Sequence, residues 1–151
     1  MQLFLIAFST LLVDQVTKLI VMQKMEVGQS IPIIPHVFHL TFVKNVGAAF
    51  GILANWIPFF ILVGLGAAVL IIFFYYKLKP RSKLVRFALS LILGGALGNL
   101  IDRIRLGYVV DFFDFRIWPV FNIADCAVVI GMLFLVWEIL RNPELGKEPG
   151  E

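Results

Sequence analysis

Four apolar runs, each close to twenty residues long, constrain this chain more than anything else in it: about 3–22, 57–76, 84–103 and 123–140. An α-helix rises 1.5 Å per residue, so roughly 20 residues are needed to cross a hydrocarbon layer about 30 Å thick. The second run carries no charge at all. The expected fold is therefore an all-α membrane protein with four transmembrane helices. Composition agrees, because 60% hydrophobic and 15% charged residues, with a mean hydropathy of +0.94, exclude an ordinary water-soluble domain. The net charge of +3 does not point to nucleic acid, since the basic residues lie beside the apolar runs. The first run has no basic residue before it and no small-x-small cleavage site, and is expected to be a retained span.

Charge sets the expected orientation. The connection at 77–86 holds Lys77, Lys79, Arg81, Lys83 and Arg86 without an acid, which places it in the cytoplasm. Four spans then put both termini there, and residues 23–56 and 104–121 outside. In the first external segment Pro32 and Pro35 interrupt the chain, and HVFHLTFV at 36–43 alternates as a short strand does. A small extracytoplasmic, β-containing platform after the first helix is expected, with a short helix at 48–53. The tail beyond Arg141, with Pro143 and Pro149, reads as a frayed end. No internal repeat divides the chain, so residues 1–151 are expected to form one integral membrane domain.

Against this apolar background, four of the ten acidic residues fall between Gly94 and Asp125. Gly95, Asn99 and Asp102 recur at helical spacing on one face of the third span, and Gly94 and Gly98 form a G-x-x-x-G pair that admits a close neighbouring helix. By themselves these are packing features, with Asp102 and Arg103 as interfacial groups at the helix end. Asp111 is expected in a short polar loop. Pro119 cannot continue a helix, so Asn122 fits the N-cap of the fourth span and Asp125 its N3 position. Capping explains Asp125 but not Asp111 or Asp114. If the Asp111 and Asp125 carboxyls approach, repulsion and desolvation make them share one proton, the arrangement with which aspartic proteases activate water. Asp14 and Lys18, at i and i+4 inside the first span, are either a structural ion pair or a functional one.

Other chemistries fit less well. The single cysteine, Cys126, permits no internal disulfide and no multi-thiolate metal site, and has no histidine in its own segment to act as base. It reads as a small helix-packing residue. His36 and His39 lack a third ligand nearby and read as interfacial. No G-x-S-x-G element and no phosphate-binding glycine loop occurs.

Five ordered blocks carry a resemblance: Asp14-Gln15-x-Thr17-Lys18, Lys44-Asn45-x-Gly47-Ala48-Ala49-Phe50-Gly51, Gly94-Gly95-Ala96-x-Gly98-Asn99-x-x-Asp102-Arg103, Gly107-x-Val109-Val110-Asp111-Phe112, and Phe121-Asn122-x-Ala124-Asp125. Together they resemble the bacterial lipoprotein signal peptidases, also called signal peptidase II. The resemblance implies an aspartyl endopeptidase of the bacterial inner (cytoplasmic) membrane, with its active site at the outer face. Such enzymes remove the signal peptide from prolipoproteins just before a cysteine that carries diacylglycerol. It implies no metal or other cofactor, inhibition by globomycin-type cyclic peptides, contact with membrane lipids and a monomeric enzyme. Carried onto this chain, the catalytic dyad is Asp111 and Asp125. Asp14, Lys18, Asn45, Gly47, Phe50, Gly95, Asn99, Asp102, Arg103, Asn122 and Ala124 take substrate-binding or site-shaping positions, with Asn45, Asn99, Arg103 and Asn122 as donors and acceptors for substrate backbone. Cys126 stands where a small residue such as serine is expected.

Two other classes compete with this reading. A four-span proton-coupled carrier would use Asp14, Asp102, Asp111 and Asp125 as a relay, but would spread them through the membrane. A structural assembly subunit would explain the glycine-rich third span and leave Asp111 and Asp125 without a purpose.

Overall fold

The computed structural model describes residues 2–47, 56–78, 80 and 82–142. Four helices, α1 (Gln2–Lys24), α2 (Ile57–Leu78), α3 (Lys83–Leu106) and α4 (Ile123–Arg141), are each long and apolar enough to cross a membrane. Three strands, β1 (Ser30–Ile34), β2 (Phe38–Asn45) and β3 (Val109–Asp114), form one antiparallel sheet in that order. The four expected spans are thus present, each extended by one to a few residues.

Local chemistry sets several of these ends. Ser82 caps α3 by accepting a hydrogen bond from the Val85 N–H, and Gly107, at φ 75°, closes it in the left-handed conformation that glycine adopts without steric cost. Asn122 opens α4 with a reciprocal capping box, in which its side chain accepts from the Asp125 N–H while the Asp125 carboxylate accepts from the Asn122 N–H. At the other end of the molecule, Ser82 Oγ also donates to buried Glu138 near the C-terminus of α4, at 2.6 Å.

α3 is the central helix, and α1, α2 and α4 all pack on it. Two of the expected close approaches are real. A Cβ at Gly94 would lie 2.6 Å from the Ala7 carbonyl oxygen of α1, and one at Gly98 would lie 2.5 Å from an Asp14 carboxylate oxygen. Helix surfaces facing away from these contacts expose large apolar side chains, as lipid-facing surfaces do: Leu62 is 69% and Leu140 74% exposed. Leu3, Ala7, Ala68 and Leu93 form the core between the helices. Val21, Phe42, Val110 and Phe112 form a second cluster, which fastens the sheet to the end of α1.

The sheet corrects three expectations. Asp111 is not in a loop: it lies on β3, which enters the sheet from between α3 and α4 and pairs with β2, Val43 opposite Asp111. The platform is therefore built from two distant segments, not from residues 23–56 alone. Second, the expected strand at 36–43 begins at Phe38, because His36, at φ 63°, occupies the turn between β1 and β2. Third, Pro32 does not interrupt the chain but sits inside β1, an edge strand, where a missing N–H is tolerated. The helix expected at 48–53 falls outside the described residues.

Candidate active site

Strand alternation places Asp111. Val110 and Phe112 point into the apolar cluster under the sheet, so Asp111, between them, projects from the opposite face. Asn45 pairs with Val109, two residues from Asp111 on the neighbouring strand, within diagonal reach on the same face. Its Nδ2 donates to Asp111 Oδ2 at 2.9 Å, and Asn122 Nδ2 donates to Asp111 Oδ1 at 2.6 Å. Asp125, in the first turn of α4, accepts at Oδ1 from Asn99 Nδ2 at 2.7 Å and at Oδ2 from the Asn122 N–H at 3.2 Å. The two carboxylates thus meet through Asn122, which is fully buried and bound to both residues.

The orientations of the three asparagine amides are dictated by their other partners. Asn45 Oδ1 accepts from the Gly47 N–H, Asn122 Oδ1 accepts from the Asp125 N–H, and Asn99 Oδ1 accepts from the Lys18 ammonium. Each of those partners can only donate, so each amide must turn its NH2 toward a carboxylate. Asn122 Nδ2 uses its second proton on Asn99 Oδ1, at 3.0 Å.

Electrostatics separates the two acids. Burial pushes the Asp111 pKa up, the charge on Asp125 pushes it further, and hydrogen bonds from Asn45 and Asn122 together with the Lys18 charge only partly offset them. The result is a carboxyl titrating at about 7. Asp114, on the same strand, behaves oppositely: burial is outweighed by hydrogen bonds from Thr41 and Arg116, which hold it below the usual carboxylate range. It anchors the turn after β3 and belongs to no catalytic group.

A cavity of about 310 Å³ opens over the pair, lined by Asn45, Gly47, Asn99, Arg103, Asp111 and Asp125 on one side and by residues 118–121 on the other. The Arg103 guanidinium borders it, stacked over the Phe60 ring of α2 at 4.9 Å and donating to the Gly47 carbonyl at 3.3 Å, while its buried Nε has no partner among the described residues.

The sequence-derived residues within the described part of the chain divide into three groups. Asn45, Gly47, Asn99, Arg103, Asp111 and Asp125 meet at the cavity, while Asn122 is buried beneath it, bonded to both acids. Asp14, Lys18 and Asp102 lie behind it as a buried ion cluster, with Lys18 Nζ 2.9 Å from both carboxylates. Asp102 is therefore not the interfacial group its position at the helix end suggested. Gly95 and Ala124 supply the contact between α3 and α4, since a Cβ on Gly95 would overlap the Ala124 carbonyl oxygen. Phe50 lies outside the described residues. Sequence reasoning missed Gln15, whose Nε2 reaches Asp14, Asp102 and the Gly98 carbonyl. A polar amide inside an apolar span, beside a charged residue, was the available signal. It also missed the cavity wall at 118–121, which nothing in that stretch announces.

His36 and His39 take no part in the site: His39 Nδ1 lies 3.0 Å from Ser30 Oγ on the sheet. Cys126 is half-buried on α4 and faces an apolar groove with Ala127.

The fold and this constellation agree with comparisons to known proteins. The family model for signal peptidase (SPase) II matches residues 6–141. A lipoprotein signal peptidase of Moorella thermoacetica is 49% identical over 150 residues, covering 99% of this chain and all of that protein. Another, of Halothermothrix orenii, is 50% identical over 143 residues, covering 95% of this chain and 98% of its own length. A solved structure described as a bacterial membrane enzyme superimposes with a TM-score of 0.88 at 37% identity, covering 99% of this chain and 93% of that one. With the family model spanning nearly the whole chain and these relatives matched end to end, the chain belongs to the lipoprotein signal peptidases, the signal peptidase II family.

Proposed function

We propose that this chain is a single-domain membrane peptidase that cleaves prolipoproteins immediately before a diacylglyceryl-modified cysteine, with Asp111 and Asp125 as its catalytic residues. The observation that carries the assignment is the pair of carboxylates joined through Asn122 at the floor of a polar cavity. The ionised Asp125 takes a proton from a water, whose oxygen attacks the scissile carbonyl carbon. The protonated Asp111 donates to the carbonyl oxygen, giving a neutral tetrahedral intermediate. Collapse passes the proton now on Asp125 to the leaving amine and returns the other from the intermediate hydroxyl to Asp111. Arg103, whose side chain lines the cavity, holds a substrate carbonyl. The enzyme works as a monomer in the bacterial cytoplasmic membrane, termini inward and cavity at the outer face, where lipid-anchored substrate and water meet. Cyclic peptides of the globomycin type compete for the same cavity.

The lipid requirement is the direct test. Wild-type enzyme in liposomes is expected to cleave a diacylglyceryl-modified prolipoprotein and to leave the unmodified precursor intact, with globomycin blocking the reaction. Equal cleavage of both precursors would remove lipid recognition, and none of either would overturn the peptidase assignment.

The raised Asp111 pKa gives a second expectation. Folded Asp111 keeps its proton to higher pH than the unfolded carboxyl, so between 3.8 and about 7 the folded chain holds a proton the unfolded chain has lost. The protonated Asp111 that the proposed mechanism needs is therefore present below that upper value and disappears as pH rises through it. In a pH series, kcat/KM, which reports the unliganded enzyme, should therefore fall on an alkaline limb centred near 7, approaching tenfold per pH unit. A flat profile from pH 6 to 9 contradicts it.

A further inference from the structure

Asp14, Lys18 and Asp102 do not line the cavity, yet all three are almost completely enclosed, at 0%, 1% and 3% exposure. Lys18 Nζ has three protons and three acceptors at 2.9 Å: Asp14 Oδ2, Asp102 Oδ2 and Asn99 Oδ1. The two carboxylates then spend further lone pairs on the backbone. Asp14 Oδ1 accepts the N–H of Ala124 at 2.9 Å, and Asp102 Oδ2 accepts the N–H of Val110 at 3.1 Å. Ala124 is the residue immediately before Asp125, and Val110 the residue immediately before Asp111. α1 and α3 thus hold, through one ammonium, the two peptide units that carry the two acids.

We propose that Asp14, Lys18 and Asp102 are positioning residues that set the separation and facing of Asp111 and Asp125, Lys18 joining the two backbone clamps and turning the Asn99 amide toward Asp125. This rests on the dyad reading given above. Neither clamp alone fixes the pair, because Asp14 grips only the start of α4 and Asp102 only β3. The ammonium ties the clamps to each other. Gln15, donating to Asp14 Oδ2 at 3.2 Å and to Asp102 Oδ1 at 2.9 Å, bridges the carboxylates a second time. Removing Lys18 leaves two like charges facing each other and takes from Asn99 Oδ1 one of its two donors, Asn122 Nδ2 being the other, so the amide that donates to Asp125 is held less firmly. None of the three lines the cavity, so no direct contact with substrate is removed.

The test compares wild type, Asp125→Asn and Lys18→Met in liposomes, reading kcat and KM for a lipidated prolipoprotein and the Kd of a reduced-amide analogue of its cleavage site. Cleavage by wild type and its loss in Asp125→Asn establish the dyad first, and failure of either overturns that reading and this one with it. Lys18→Met is then expected to bind the analogue within about threefold of wild type while kcat falls by about 100-fold, the cost of a misplacement near 1 Å. An unchanged kcat overturns the positioning role alone. So does a loss of analogue binding as large as the loss of kcat/KM, which would make Lys18 a substrate-binding residue. If Lys18→Met does not fold, Asp14→Asn/Lys18→Met takes its place: it removes a carboxylate with the ammonium, leaves an amide oxygen for the Ala124 N–H, and carries the same expected and overturning results.

Discussion

Asp111→Asn and Asp125→Asn are each expected to lower kcat on a lipidated prolipoprotein by about 10³-fold or more, without loss of fold. The substitutions keep shape and volume, and what they remove is the ability to hold and pass a proton. Each also places an NH2 group against donors that cannot turn away. Residue 111 faces Asn45 Nδ2 and Asn122 Nδ2, and residue 125 faces Asn99 Nδ2 and the Asn122 N–H. The amides around them are fixed by backbone N–H groups and by Lys18, so the mismatch stays local and does not spread through rotation. For Asp111→Asn, which removes a buried carboxyl repelled by Asp125, thermal stability at neutral pH is expected to hold or rise, the pattern of a site that trades stability for activity. Product quantified by mass, beside a melting curve in the same detergent, checks both halves. More than about a tenth of wild-type activity in either variant would exclude that residue from the chemistry.

Gly95→Ala is expected to be the most damaging single-methyl change in the described helices for stability and activity together. Its Cβ would overlap the Ala124 carbonyl oxygen and lie 2.8 Å from Val128 Cγ2. The first obstacle is backbone and cannot rotate aside, so α3 and α4 must separate at the turn that carries Asp125. Overpacking of this kind costs about 1–3 kcal/mol, and displacing a catalytic carboxylate by even part of an ångström adds a rate loss of up to about 100-fold. Gly66→Ala is the control, since nothing lies within 4 Å of its Cβ position on α2, and it should fall within about 0.5 kcal/mol of wild type. Equal effects at the two positions would show that helix separation does not control the site.

The spans were legible because membrane thickness imposes a length that any apolar run must meet. The Asn122 cap with Asp125 at N3 was legible because it depends on residues three apart. What escaped depends on distant partners. β3 has β-branched and aromatic residues around Asp111, but becomes a strand by pairing with β2, whose Val43 is 68 residues away from its partner Asp111. Asp102 reads as interfacial until Lys18 and Gln15 of another helix enclose it. The role of Asn45 came only from the family resemblance, and the helical spacing of Asn99 with Gly95 and Asp102 gave no link to Asp125. The depth of the end of α3 was likewise missed: Gly107 closes the helix three residues beyond the expected end at 103, at a position recognisable as a left-handed cap.

The fixed amides have a consequence for the chemistry as a whole. Among the described residues, the groups hydrogen-bonded to the two acids all donate and, in their fixed orientations, do not receive: Asn45, Asn99 and Asn122 through Nδ2, and the Asn122 peptide N–H. None of these can relay a proton by exchanging donor and acceptor ends, as a hydroxyl or an imidazole would. In the proposed mechanism the proton therefore passes among the two carboxylates, the water and the substrate, and any exchange with solvent runs through water in the cavity and not through these amides.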